Sequence, residues 1–415
     1  MKRRLLGAVS LALTAALTIT GCGSSGGGGG TNGTTTLKLV AADYGTGPEN
    51  TSQKYWQDIA DAFHKQNPKI TVKVQTINWN DFDDQVKTMV QNHNYPDITE
   101  GDYFPDFAQA KLLYPAKDVM SDNTFKNLIP VFANLGTYNG TQYGMPFTTS
   151  SRTMFYNKKL FTQAGIANPP QTWDDVKTDA LKIKALGKVG FGLPLGKEEA
   201  QAEALLWMLG NGGGYQDNGK WTIDSSQNVE TMQFLADLVK SGATEPNPGT
   251  KNRTDLWKQF ASGDIGMING QGALIPIIKS GGKLSDADWA SVPIPGKTGP
   301  LDKTLGVCDN VSAFNGNGHQ AQIKAFLDFA YQDTYQVAFD KEYDLLPATN
   351  SGVQALSSDP VFAPFLKALP NSVQYPNDPV WSTVKSQIQT SIGTIVSKDP
   401  KSVLSALQQT ATKGS

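Results

Sequence analysis

Cysteine and histidine are scarce in this chain: Cys22 and Cys308, and His64, His93 and His319, among 415 residues. The histidines are isolated, and no His-Glu-x-x-His or Cys-x-x-Cys occurs. The usual metal-ligand spacings are therefore missing, and no metal or cofactor is expected. Net charge is also small. There are 36 Lys+Arg against 38 Asp+Glu, and removing Lys2, Arg3 and Arg4 takes the formal charge from −2 to −5. A mildly acidic body argues against nucleic acid and polyanionic substrates and suits a neutral ligand. Hydrophobic residues make up 39%, a low share explained in part by the 41 glycines. A chain of this length still has enough apolar material for two sizeable cores and suggests two or three domains.

What is present begins with an address. Lys2, Arg3 and Arg4 precede the mostly apolar run 5–19, which is short and Thr-rich for a spanning helix. Residues 1–21 read as a signal peptide. The run closes on Ile19-Thr20-Gly21-Cys22, which resembles a bacterial lipobox with Ile19 in place of the usual leucine. In such signals the cysteine is lipidated and becomes the mature N-terminus, which implies a palmitate-type lipid anchor at Cys22. The competing reading is an ordinary signal peptide with an incidental cysteine. With Cys22 lipidated, Cys308 has no disulfide partner in the chain, and stability has to come from packing. Residues 22–36 follow as a Gly/Ser/Thr-rich tether, a composition that gives flexible coil. The tether contains a Gly-x-Ser-x-Gly match at Gly23, Ser25 and Gly27 and a Gly-x-Gly-x-x-Gly match at Gly28, Gly30 and Gly33. Neither has a strand before it and a helix after it, so both are products of low complexity.

The body opens on alternating elements. Residues 36–42 predict a strand, and 52–66 an amphipathic helix with Tyr55, Trp56, Ile59, Ala60 and Phe63 on one face. Ile70, Val72 and Val74 alternate as a second strand, residues 78–81 start a helix to Gln91, and residues 96–99 form a third strand. This order predicts an α/β sheet, whose ligands bind beyond the carboxyl ends of the strands. The loops there carry Tyr44, Trp79, Glu100, Asp102 and Tyr103. Trp79 reads equally as a helix-start residue packed on its own lobe. Further on, strand 191–194, helix 198–209, a hairpin turn at 217–220, helix 229–240 and a long helix from Trp381 are expected.

The stretch 140–176, GTQYGMPFTTSSRTMFYNKKLFTQAGIANPPQTWDDV, organises the rest. Its spacing alone gives a strand, a loop and two helix starts, the second capped by Thr172 with Asp174 and Asp175 in its first turn. The order of its pieces resembles the extracellular solute-binding proteins of ABC transporters, of the carbohydrate type that includes maltose-binding protein. In that family a strand crosses between lobes and runs through Tyr-Asn-Lys to a Pro-Pro-x-Thr-Trp helix start. Residues 260–270 and 292–296 resemble further segments of the family, and 305–311 and 345–349 resemble its second and third crossovers. The resemblance implies an α/β, periplasmic-binding-protein-like fold of two hinged lobes. The N-terminal lobe would comprise 37–146 plus 308–346, and the C-terminal lobe 147–307 plus 347–415.

The same resemblance implies a binder and not an enzyme: a monomer, membrane-anchored outside the cell, that presents a sugar to the permease subunits of an ABC importer. Glu100, Asp102 and Tyr103 follow a Pro-Asp-Ile start like that of a sugar-contacting segment, but the loop is two residues shorter and lacks its arginine. In the family a loop lends a carboxylate and an aromatic ring to the sugar ahead of a helix ending in Gly-Gly-Tyr; the corresponding positions fall near Glu199 to Glu203, with Trp207 one turn on, at core spacing, and Tyr215 as the closing tyrosine. Gln271 stands where the family usually carries an aromatic platform. Asp309 and Asn310 lie in the second crossover. Trp381 occupies the neighbourhood of a stacking tryptophan, or else plugs its helix start into its own lobe. A binder of a peptide or an ion, or a glycoside-active enzyme, are the alternatives.

Overall fold

The computed structural model describes residues 33–413 apart from 46, 103–104, 360–361 and 370–371. Cys22, the signal segment and Tyr103 thus lie outside the described residues. Ten strands build two sheets. They are β1 (Thr35–Asp43), β2 (Ile70–Asn78), β3 (Ile98–Gly101), β4 (Gly144–Ser151), β5 (Thr153–Asn157), β6 (Val189–Gly192), β7 (Ile265–Gly270), β8 (Trp289–Val292), β9 (Gly306–Ala313) and β10 (Leu346–Pro347). The first sheet runs β10-β4-β9-β3-β1-β2 and the second β8-β5-β7-β6.

In the first sheet β1 pairs in parallel with β2 (Thr35 opposite Ile70) and with β3 (Leu39 opposite Ile98). Strand β9 enters antiparallel between β3 and β4, with an irregularity at Asp309/Asn310. The period-2 alternation of β1 sends Leu37, Leu39 and Ala41 to one core and Val40 and Ala42 to another. Helix α1 (Ser52–Gln66) fills the first core with Trp56, Ile59 and Phe63, and α2 (Phe82–Gln91) fills the second with Phe82 and Val86. Both faces of this mixed sheet, with two parallel and three antiparallel pairings, are covered.

The second sheet is likewise enclosed. Helix α3 (Trp173–Lys184) starts on a capping box between Thr172 and Asp175 and packs Val176, Ala180 and Ile183 against Met154, Phe191 and Met267. Helix α4 (Ala200–Leu209) is buried along its whole length, and α5 (Ser226–Lys240) is capped by Ser225. Helix α6 (Arg253–Ala261) covers the opposite face through Leu256, Trp257 and Phe260. The C-terminal helices α7 (Trp381–Ser391) and α8 (Pro400–Lys413) join the α3/α4 core through Val384, Ile388, Leu404 and Leu407.

The chain passes three times between these bodies: from β4 to β5 with only Arg152 between them, from β8 to β9, and from β10 toward α7. The threonine hydroxyls of β4 are paired within the first lobe. Thr148 Oγ1 donates to Asp340 Oδ1 at 3.1 Å and Thr149 Oγ1 to the Leu346 carbonyl at 3.2 Å.

One local expectation shifts and another holds. The helix expected from Glu198 begins at Ala200, because Glu198 and Glu199 are drawn off by Arg253. The hairpin turn forms between Gln216–Asp217 and Lys220–Trp221, with Asn218 and Gly219 at φ 49° and 77°, a turn geometry that favours Asn-Gly.

Candidate ligand-binding site

A chamber of about 370 Å³ lies between the two sheets. Three groups of side chains shape it.

The first group comes from the carboxyl ends of β1 and β3 and from β9. Tyr44 Oη lies 2.7 Å from Glu100 Oε1 and 3.0 Å from Asp309 Oδ2. A phenol has one proton to donate, so two carboxylates cannot both be satisfied as anions. Burial pushes the Glu100 carboxyl well up, and the neighbouring Asp309 charge adds to it. Burial, helped by the Asp102 charge, raises Asp309 to about 7. One of the pair therefore holds a proton near neutral pH and donates it to the phenol oxygen. Glu100 is fully buried beneath Tyr44, whereas Asp309 lines the chamber.

The second group is ionic. Arg152 is only 6% exposed. It donates to Ser150 Oγ at 2.8 Å and to Glu199 Oε1 at 2.5 Å, and it contacts Gln271. Arg253 donates to Glu198 Oε1 at 2.8 Å, contacts Glu199 Oε2 and lies over the Trp257 ring at 4.6 Å. Burial opposes the Glu199 charge, but Arg152 and Arg253 overcome it and hold the carboxyl below its usual range.

The third group spans the lobes. Lys385 of α7 places Nζ 2.7 Å from Asp83 Oδ2 and in contact with Asp102. Burial disfavours its charge, and the two carboxylates reverse that effect and raise its pKa. Lys197 Nζ meets Asp84 at 2.8 Å, also across the cleft.

Aromatic rings line both walls. Trp79 meets Tyr44 edge-on, with centroids 5.2 Å apart at 86°. Opposite them Tyr375 lines the chamber and stacks on Trp381 at 5.2 Å and 27°. A hinged pair of α/β lobes around a polar, ring-lined cleft is the architecture of a solute receptor. The profile of the bacterial extracellular solute-binding proteins matches residues 47–337.

The chain belongs to this family. Among solved solute-binding proteins, one from Thermotoga lettingae bound with α-D-tagatose superposes with a TM-score of 0.81 at 21% identity, covering 92% of this chain and 99% of that one. The GacH receptor of Streptomyces glaucescens, solved unliganded and with acarbose, superposes with a TM-score of 0.79 at 22% identity, covering 92% and 98%. In sequence, the diacetylchitobiose-binding protein DasA of Streptomyces coelicolor is 25% identical over 373 residues, 84% of this chain and 82% of that protein.

Within this solute-binding protein the expected site residues separate. Tyr44, Trp79, Asp102, Gln271 and Asp309 line the chamber, with Glu100 bonded behind Tyr44. Asn310 and Trp381 line a smaller adjoining cavity. Trp381 is 6% exposed and packs among Tyr215, Trp221 and Tyr375, and of these rings Tyr375 lines the chamber.

Glu203, Trp207 and Tyr215 lie away from the chamber. Glu203 and Trp207 sit one turn apart on a helix buried all round and bond each other, and Tyr215 packs back on that helix from the loop after it. Trp207 Nε1 and Asn269 Nδ2 donate to Glu203 Oε1 at 2.7 and 2.9 Å, and Tyr215 Oη donates to the Gln201 carbonyl at 2.7 Å. Glu203 does reach a small side pocket under Arg152 and Arg253. Beside Gln271, a Cβ on Gly272 would fall 1.9 Å from the Asp344 carbonyl oxygen, so the backbone leaves no room for a side chain there.

Sequence reading passed over Arg152, Arg253, Tyr375 and Lys385. Arg152 had a signal: it is the one charged residue in the buried run from Gly144 to Asn157. Lys385 had none, since a lysine on an amphipathic helix reads as solvent-facing.

Proposed function

We propose that this protein captures a neutral carbohydrate between its lobes and delivers it, without chemical change, to the permease subunits of an ABC importer. Cys22 carries the lipid that holds the protein, a monomer, on the outer face of the cell membrane. The mutual neutralisation of charge in the chamber carries the reading of the ligand. Arg152 and Arg253 are matched by Glu198 and Glu199, Lys385 by Asp83 and Asp102, and Lys197 by Asp84. An anion or cation would have to break such a buried pair, which is costly. A polyhydroxylated neutral molecule accepts from the guanidinium edges and donates to the carboxylates without breaking them. The rings of Trp79, Tyr44 and Tyr375 offer faces and edges to its C–H surfaces, and a few placed polar groups between such walls are what a small-molecule pocket needs. The α-D-tagatose, acarbose and diacetylchitobiose named for the similar proteins are of the same chemical class.

A hydrolytic reading needs two carboxyl groups that both reach a glycosidic bond. Of the Glu100/Asp309 pair only Asp309 faces the chamber; Asp83, Asp84, Asp102, Glu198 and Glu199 are held in ion pairs, and Asp43 accepts from the Gly45 and Ser52 backbone N–H groups.

Thermal-shift screening against neutral mono- and oligosaccharides, with sugar phosphates and short peptides as controls, tests the proposal. Concentration-dependent stabilisation by neutral sugars is expected, following ligand concentration over Kd. Any stabilising glycan is then recovered and must be intact. Stabilisation by phosphate esters or peptides alone, or recovery of cleaved glycan, rejects the reading.

A further inference from the structure

The interlobe space does not end at the chamber. A second cavity of about 70 Å³ adjoins it, and Asp83, Asp102, Tyr375, Ser382 and Lys385 wall both. The ion-paired Lys385 therefore stands at the junction of one longer groove. Beyond it the walls change character, with Cys308, Asn310, Gln374 and Trp381 taking over. The described residues that line this cavity beyond the junction carry no charge.

Besides the Tyr375 hydroxyl on the shared wall, two polar groups there are unmatched. Asn310 is 2% exposed, and its Nδ2 donates to the Cys308 carbonyl at 3.0 Å while its Oδ1 has no partner among the described residues. Gln374 comes from the segment that leads into α7, and its Nε2 is likewise buried without a partner. Buried amide groups are normally hydrogen-bonded, so an unmatched acceptor and an unmatched donor on one small cavity call for an occupant. An acceptor beside a donor suits a hydroxyl, which donates once and accepts. It gives no advantage to an anion or a cation. The volume is that of about five waters at ~15 Å³ each, room for a hydroxymethyl group or a ring edge.

We propose that this cavity is a side subsite that takes a neutral, hydroxyl-bearing extension of the carbohydrate held in the chamber. Asn310 and Gln374 recognise the extension, and Lys385 with Asp102 contacts the ligand where it passes the junction. The inference rests on the carbohydrate reading. It adds that ligands reaching past Lys385 are preferred over those that stop at it.

Calorimetric titration with two members of one glycan series tests it: the shortest member that binds, and the member one unit longer. In the wild-type protein the longer glycan binds more tightly. In Gln374→Leu the ratio of the two affinities falls about tenfold, and in Asn310→Leu it falls similarly. Gln374 lies outside any strand or helix, so its variant remains informative if Asn310→Leu, within β9, fails to fold. A wild-type ratio near one, or an unchanged ratio in Gln374→Leu, overturns the subsite while leaving the carbohydrate reading intact. Failure of the wild-type protein to bind any glycan, with a phosphate ester or peptide bound instead, overturns both.

Discussion

Glu203 shows how a side chain chosen for its chemistry can serve the core instead. Burial raises its pKa to about 8, against the hydrogen bonds from Trp207 and Asn269. A carboxyl whose folded pKa is raised contributes stability that is complete below its unfolded value near 4.5 and is lost as pH rises through about 8. Wild-type melting temperature should therefore fall between pH 5 and pH 9. Glu203→Gln keeps the acceptor for Trp207 and Asn269 and cannot ionise. Its melting temperature should match wild type near pH 5 and exceed it at pH 9. Asp309 and Glu245, each raised to about 7 chiefly by burial, add to the same slope, so the difference between the two proteins is the reading that matters. Parallel profiles for wild type and Glu203→Gln would reject this account.

The rings divide in the same way. Trp381→Ala should cost ~3–5 kcal/mol of stability as a buried large-to-small change, with ligand affinity of the refolded protein close to normal. Tyr375→Ala should leave most of the stability and weaken binding. Melting and titration on both variants decide it, and the reverse pattern would restore the platform to Trp381. Trp381 was readable as either plug or platform from its place after Pro379. Only the packing of Tyr375 between it and the chamber separates the two.

At the scale of elements, the link from β4 to β5 and helix α7 do the joining. Arg152 sits where the chain steps from one sheet to the other and ties that step to Glu199 and Gln271. Helix α7 belongs to the core of the second sheet, yet its Lys385 reaches Asp83 and Asp102 of the first lobe. Removing the ammonium removes the attraction that holds α7 to the two first-lobe carboxylates. Ligand-free Lys385→Gln should therefore populate an opened form, with a larger radius of gyration by small-angle scattering than wild type. Raised salt should move the wild-type protein the same way, because the exposed Lys197–Asp84 pair is screened. An unchanged radius in Lys385→Gln would mean that the pair does not govern closure. Much at this scale was legible beforehand: α1 was expected over the residues it occupies, and the Thr172/Asp175 cap follows from its spacing. The start of α4 was missed because the ion pairs that pull Glu198 and Glu199 out of the helix come from Arg253, 54 residues downstream of Glu199.

For the whole molecule, capture depends on a population shift: a ligand that touches both walls favours the closed arrangement by as much as it binds that arrangement better. In the proposed anchoring, the tether after Cys22 sets where this happens. Cys22→Ser should yield a folded, ligand-competent protein in the soluble fraction. Retention in membranes after detergent-free washing would reject anchoring through Cys22.

Periodicity, caps and the order of short motifs were enough for an α/β receptor of two lobes, because each depends on residues within a few positions of one another. Tyr44, Trp79 and Asp102 were also within reach, since ligands of α/β sheets bind beyond the strand ends, and Asp309 was reached through the resemblance of its segment to a crossover. The charge balance of the chamber was not. Arg152 with Glu199, Arg253 with Glu198, and Lys385 with Asp83 are pairs separated by 47, 55 and 302 positions. Nothing local encodes such partners. They meet only when two sheets and the C-terminal helices close on one space, and that meeting decides which charges remain for a ligand and which rings stand in front.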